Sequence, residues 1–304
     1  MATPKTQAGP GALRPEVLAR LGGLSVKARQ VVEGVLSGLH RSPHHGQSIE
    51  FAEHKEYAPG DEIRHIDWKA YAKFDKYYVK QFEHETNLRA YLMVDASHSM
   101  AYGSGEVSKL EYAKVLAASL AYLLVRQGDS VGLVVFGEEV RSYVPVRSGT
   151  AHLQEVIGAL EASEAEGATD FEAAAHFLSE RARRRAMVLL FSDFLDPDDA
   201  KVAAVRRLRA RKHDIGVFHL MDRAELDFPF EDPSLFVSME DDRRLQVNPI
   251  QIRDSYREEV QAFIEATRRR LRESDVQYRL VVTDTPYDQV VAEFLSERAQ
   301  GRRR

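Results

Sequence analysis

Cysteine is absent from all 304 residues, so no disulfide framework, thiolate nucleophile or cysteine-type zinc site can be built from this chain. Long apolar runs are missing too. No stretch approaches the roughly 18 consecutive apolar residues of a membrane helix, and Met1 to Pro10 has no apolar core of signal-peptide length. Nor is basic charge in excess: 42 Lys and Arg against 47 Asp and Glu leave a net charge of −5, which argues against nonspecific nucleic-acid binding as the main role. These absences lead to the expectation of a cytoplasmic protein with no membrane span and no nucleic-acid partner. A hydrophobic content of 44% is enough for a sizeable core.

The organisation follows from periodicity. Residues 1–14, rich in Pro, Gly, Ala and Thr, read as a flexible leader. Residues 15–87 read as an N-terminal extension. It opens with a helical pattern from Pro15 to Leu39, interrupted at Gly22-Gly23, and continues with short strand-like pieces around a Pro59-Gly60 turn. From residue 88 to about 300, apolar strand patterns alternate with helical ones, which predicts an α/β domain with a doubly wound, mostly parallel sheet. Strands are expected at Leu88–Asp95, Ser130–Phe136, Ala186–Phe191, His213–Leu220 and Gln277–Val282, with an antiparallel edge strand at Glu139–Pro145. Ser108-Lys109-Leu110-Glu111 reads as a capping box opening a helix. A hairpin insertion is expected at 228–248, with its tip at Asp241 to Arg244.

The chemistry concentrates at Asp95-Ala96-Ser97-His98-Ser99-Met100, directly after the apolar run Ala90 to Val94. One carboxylate and two hydroxyls at alternate positions suit a hard cation. Mg²⁺ takes oxygen ligands in near-octahedral geometry and gives up water reluctantly, so hydroxyls with one or two carboxylates leave it electrophilic. Asp-x-Ser-x-Ser at a strand end resembles the metal-ion-dependent adhesion site of von Willebrand factor A-type domains. Two further loops extend the resemblance: Gly167-Ala168-Thr169-Asp170 before a helix, and Phe191-Ser192-Asp193 at the end of a strand. It implies that Ser97, Ser99 and Thr169 coordinate directly, Thr169 in a conformation-dependent way, and that Asp95 and Asp193 act directly or through water. The implied cofactor is Mg²⁺, with Mn²⁺ able to substitute, and the remaining position would take an Asp or Glu of a partner. Asp170 has a second reading as the cap of the following helix.

A narrower resemblance lies upstream. Ser48-Ile49-Glu50-Phe51, Tyr57-Ala58-Pro59-Gly60-Asp61 with Ile66-Asp67-Trp68, and Tyr78 to Glu85 look like the hallmark of the bacterial family catalogued as domain of unknown function 58. That resemblance implies a von Willebrand A domain and a MoxR-type AAA+ ATPase as partner. Many members carry N-terminal membrane helices; none is read here, which points to the soluble subgroup. Arg64, Asp67 and Trp68, the only tryptophan, have two readings. They form an ion pair and a packing anchor, or a partner-docking surface, since Trp and Arg are enriched at interface hot spots.

Other signals are weaker. Gly103 to Lys109 superficially resembles a phosphate loop but lacks the closing Gly-Lys-Ser/Thr. His44, His45 and His54 with Glu50, Glu53 and Glu56 do not make His-Glu-x-x-His. Arginines at 181, 183, 184 and 185, and at 206, 207, 209 and 211, gather at helix ends, where they meet the negative end of the dipole or form a basic docking surface. The functional expectation is a non-enzymatic, metal-dependent interaction module. The alternatives are a metal-dependent hydrolase, for which only Asp170 or His98 offers a base, and a metal-independent scaffold.

Overall fold

The computed structural model describes residues 16, 18, 22–41, 54–56, 78–80, 88–195, 199–237 and 244–301. The chain divides into two compact units, Ser37–Asn87 and Met1–Leu36 together with Leu88–Arg304.

Helix α1 (Leu24–Arg41) begins where the Gly22-Gly23 break was expected, with Gly23 at φ +59°, a conformation that suits glycine. Leu24, Ala28, Val31, Val32 and Val35 recur at helical spacing and are buried. The backbone N–H of Leu24 donates to Glu161 Oε1 over 2.7 Å. In the unit Ser37–Asn87, β1 (His54–Glu56) pairs antiparallel with β2 (Tyr78–Lys80). The Pro59-Gly60 turn and Arg64, Asp67 and Trp68 lie outside the described residues.

The larger unit runs β3 (Arg89–Asp95), a 3₁₀ turn (His98–Ala101), α2 (Lys109–Arg126), β4 (Ser130–Phe136), β5 (Val140–Arg147), α3 (Thr150–Glu161) and α4 (Phe171–Arg181). It continues through β6 (Met187–Ser192), α5 (Asp199–Ala210), β7 (Asp214–Met221), α6 (Arg223–Asp227), β8 (Ser234–Val237) and β9 (Arg244–Val247). It closes with α7 (Pro249–Arg272), β10 (Gln277–Val282) and α8 (Tyr287–Gly301). Six strands form one sheet in the order β10-β7-β6-β3-β4-β5, parallel except for the edge strand β5. This is the doubly wound, mostly parallel architecture the alternation predicts. Alternate strand residues face opposite helical layers. Tyr91, Met93, Val188 and Leu190 pack with Phe171, Leu178, Val205 and Leu271 in one layer's core.

Strand β5 sits close against β4, and the register shifts between Val131 and Leu133. A Cβ on Gly132 would stand 2.8 Å from the Val144 carbonyl oxygen, so glycine is required at this irregularity. The β8–β9 pair lies where the hairpin is expected; of the expected tip, Asp241 to Arg244, Arg244 instead opens β9 and pairs with Val237, and 241–243 lie outside the described residues. Two local expectations change. Ser108 caps α2 by accepting from the Glu111 N–H at 3.2 Å, while the Glu111 carboxylate bonds Lys114; only the Ser108 half of the capping box is seen there. A complete capping box instead opens α6, between Asp222 and Glu225.

Candidate metal centre

The site follows from strand order. β3 has β4 on one side and β6 on the other, so the chain reverses its direction of winding at the β3–β6 crevice. Val94 pairs with Phe191, which brings the next residues, Asp95 and Ser192, side by side at the carboxyl edge. Asp95 is 1% exposed. Its Oδ1 accepts the Ser97 N–H at 3.0 Å. Its Oδ2 accepts the hydroxyls of Ser192 at 2.7 Å and Thr169 at 3.4 Å.

Ser97 precedes the 3₁₀ turn, which carries Ser99, and the two buried hydroxyls lie 3.2 Å apart. Asp193, also buried, follows Ser192; the Ser99 hydroxyl and the Leu195 N–H bond its carboxylate. The structure therefore gathers Asp95, Ser97, Ser99, Thr169 and Asp193 from three loops at one edge of the sheet. Phe194, immediately after, has φ +50° and is buried, a conformation that costs a bulky side chain about 1–3 kcal/mol and that recurs at functional sites.

The loops are stitched together. Backbone bonds join His98 N to Gly167 O (2.8 Å), Glu166 N to Ala96 O (3.0 Å) and Asp170 N to Gly137 O (2.8 Å). Arg141, on β5, adds a fork: Nη1 donates to Ala96 O at 2.9 Å and Glu164 O at 3.0 Å, and Nη2 donates to Glu166 O at 2.5 Å. The Arg141 guanidinium fills the space a Cβ on Gly137 would need, and Gly167 adopts φ +55° in the loop that delivers Thr169.

Electrostatics separates the two aspartates. Burial, then the neighbouring Asp193 charge, push the Asp95 carboxyl above its usual range. Burial also opposes ionisation of Asp193, but Lys109 overcomes it and holds that carboxyl low. Lys109 Nζ, itself 0% exposed, donates to Asp193 Oδ2 at 2.9 Å and to Glu225 Oε1 at 2.7 Å.

Oxygens on neighbouring vertices of an octahedron about 2.0–2.1 Å from its centre are about 3 Å apart. The Ser97–Ser99 and Thr169–Asp95 pairs, hydrogen-bonded at 3.2 and 3.4 Å, are somewhat wider than that and would draw in around an ion. The all-oxygen donor set, rich in hydroxyls, could hold Mg²⁺ or Mn²⁺. Among the described residues, no cluster of three or more His, Cys, Asp or Glu offers another metal site.

The remaining candidates resolve differently. Asp170 caps α4, accepting from Ala173 N at 2.9 Å, and His98 is exposed on the 3₁₀ turn. Ser104 of the glycine-rich loop is tied to Asp222 through both its N–H and its hydroxyl, as a loop anchor. The arginine clusters are largely paired at helix ends: Arg185 with Asp214, Arg207 with Glu172, Arg209 with Asp275, and Arg211 with the Ser179 carbonyl. Sequence reasoning gave no role in the site to Lys109, Glu225, Ser192 or Arg141. A lysine at the first position of an otherwise apolar helix, against the positive end of the dipole, was the one available signal for Lys109.

Sheet order and a polar cluster at the switch point define a doubly wound α/β module. Residues 53–268 match the family described as "Protein of unknown function DUF58", and the chain belongs to that family. It is 29% identical over 220 residues to Uncharacterized protein Rv1480 of Mycobacterium tuberculosis, covering 71% of this chain and 68% of that one. It is 25% identical over 132 residues to Uncharacterized protein YeaD of Bacillus subtilis, covering 43% and 30%. Among solved structures it is similar to the conserved hypothetical protein BatB from Bacteroides thetaiotaomicron, at a TM-score of 0.48 and 15% identity, covering 70% and 99%. It is also similar to the SpRpn10 VWA domain, at a TM-score of 0.42 and 10% identity, covering 67% and 93%. No described helix is long and apolar enough to cross a membrane.

Proposed function

We propose that this protein is a non-enzymatic, Mg²⁺-dependent protein-interaction module, an adaptor or assembly factor that works with a MoxR-type AAA+ ATPase. The observation that supports the metal reading is the convergence of Asp95, Ser97, Ser99, Thr169 and Asp193 on one crevice. The family resemblance alone names the ATPase. Bound there, the cation would supply an electrophilic position for a partner's Asp or Glu. The chain's own residues would hold it with few formal charges, which keeps that position attractive to a carboxylate.

An adhesive role fits the surroundings better than hydrolysis. Of the two bases considered, Asp170 is committed to its helix cap and His98 points to solvent from the 3₁₀ turn. Calorimetric titration of Mn²⁺ into chelator-treated protein tests the metal reading. Uptake should be lost in Asp95→Ala and strongly weakened in Ser97→Ala. Folded wild-type protein that takes up neither Mg²⁺ nor Mn²⁺ at millimolar concentration would refute it.

A further inference from the structure

We propose that Lys109 is a specificity-determining residue of this centre: a built-in ammonium that fits the site to one small divalent cation and discriminates against Ca²⁺. The inference rests on the metal-binding reading above.

The position of Lys109 is costly by local rules. It opens α2, where the helix dipole disfavours a cation, and its side chain is fully buried. A buried ammonium needs partners, since taking such an ion out of water costs several kcal/mol. Lys109 has two: Asp193 at 2.9 Å and Glu225 at 2.7 Å.

The second partner is itself held. Glu225 Oε2 accepts the Asp222 N–H at 2.7 Å. Asp222 in turn accepts from Ser104 on one side and from Thr283 Oγ1, at 3.1 Å, on the other. A chain of bonds thus runs from the β10 end through α6 to the ammonium, which fixes Nζ against the candidate ligand Asp193.

Two consequences follow for a metal. The Lys109 ammonium offsets one of the negative charges that Asp95, Asp193, Glu225 and Asp222 can bring to the cluster, so an entering cation meets a less negative centre. Asp193 Oδ2 is also engaged by the ammonium, while Oδ1 receives the Leu195 N–H. That arrangement opposes bidentate coordination by Asp193. Ca²⁺ favours six to eight oxygens and bidentate carboxylates, whereas Mg²⁺ and Mn²⁺ accept one oxygen or a bridging water.

The test titrates Mn²⁺ and Ca²⁺, separately, into the full chain. Wild type is compared with Lys109→Met, and Glu225→Gln with Lys109→Met/Glu225→Gln; the second pair leaves no glutamate stranded without its ammonium. Circular dichroism confirms the fold of each. In both backgrounds, loss of the ammonium should tighten Ca²⁺ binding about tenfold or more and Mn²⁺ less: removing the like charge helps both ions alike, but the freed Asp193 Oδ2 permits the bidentate coordination that Ca²⁺ favours. The Ca²⁺-to-Mn²⁺ affinity ratio therefore rises. An unchanged ratio in folded variants would make Lys109 a packing strut and overturn the inference while leaving the metal site standing. No uptake of either ion by wild type would instead bring down the metal reading itself, and this inference with it.

Discussion

The Ser192 hydroxyl donates to Asp95 Oδ2 across 2.7 Å, tying the ends of two neighbouring parallel strands together inside the protein. The same oxygen of Ser192 receives the N–H of Phe194 at 3.2 Å, so one hydroxyl serves both a buried carboxylate and the turn with positive φ. Ser192→Ala removes the acceptor of the Phe194 N–H and the shorter of two hydroxyl bonds to Asp95 Oδ2. A hydrogen bond to a charged partner contributes about 1.5–3 kcal/mol, and we expect a loss of that size in urea unfolding without added metal. A midpoint equal to wild type would show that the bond does not matter.

Arg141 should act on the site through position. Its fork reaches carbonyls on two of the site's loops, at Ala96 and at Glu164 and Glu166. A lysine cannot reproduce a planar fork of donors. We expect Arg141→Lys and Arg141→Met to weaken Mn²⁺ binding about tenfold, by freeing the Thr169 loop from the Asp95 loop, one lost decade corresponding to about 1.4 kcal/mol. Arg141→Lys binding Mn²⁺ as wild type does would rule out this positioning role.

How much of this was legible in the sequence depends on how local each signal is. Asp95, Ser97 and Ser99 lie within five residues at a strand end, and Thr169 and Asp193 each sit where an apolar pattern stops or a helix begins, so order along the chain together with the von Willebrand A resemblance singled them out as candidates. The sheet followed from the same alternation. Lys109 and Glu225 meet across 116 positions and no local pattern joins them. α6 has only 5 residues, too few for a helical period, although Asp222-x-x-Glu225 carried the capping-box spacing that marks its start. Arg141 addresses backbone carbonyls, which leave no trace in side-chain identity.

Acid should weaken the fold through His219. This side chain is 0% exposed, packed among the rings of Phe194, Phe263 and Tyr278, with Nδ1 2.7 Å from the Tyr278 hydroxyl. Burial, only partly offset by Asp193, pushes its pKa down to about 4 from the ordinary histidine value of about 6.5. Above about pH 6.5 the ring is neutral in both the folded and the unfolded chain. As pH falls from there toward 4, the unfolded chain binds a proton that the folded chain refuses, so stability declines by on the order of 3 kcal/mol. Urea unfolding at pH 7.5 and pH 5 should show this decline in wild type and a shallower one in His219→Gln. Equal slopes would place the acid sensitivity elsewhere.

Metal-dependent capture of a partner is the most direct measurement of the proposed role. Wild-type protein immobilised in native-cell extract with millimolar Mg²⁺, the same with excess EDTA, and Asp95→Ala with Mg²⁺ make three arms read by mass spectrometry. We expect proteins, a MoxR-type ATPase among them, to be retained only in the first arm. The same proteins retained at equal levels in all three arms would contradict metal-dependent adhesion and leave a scaffold that works without the ion.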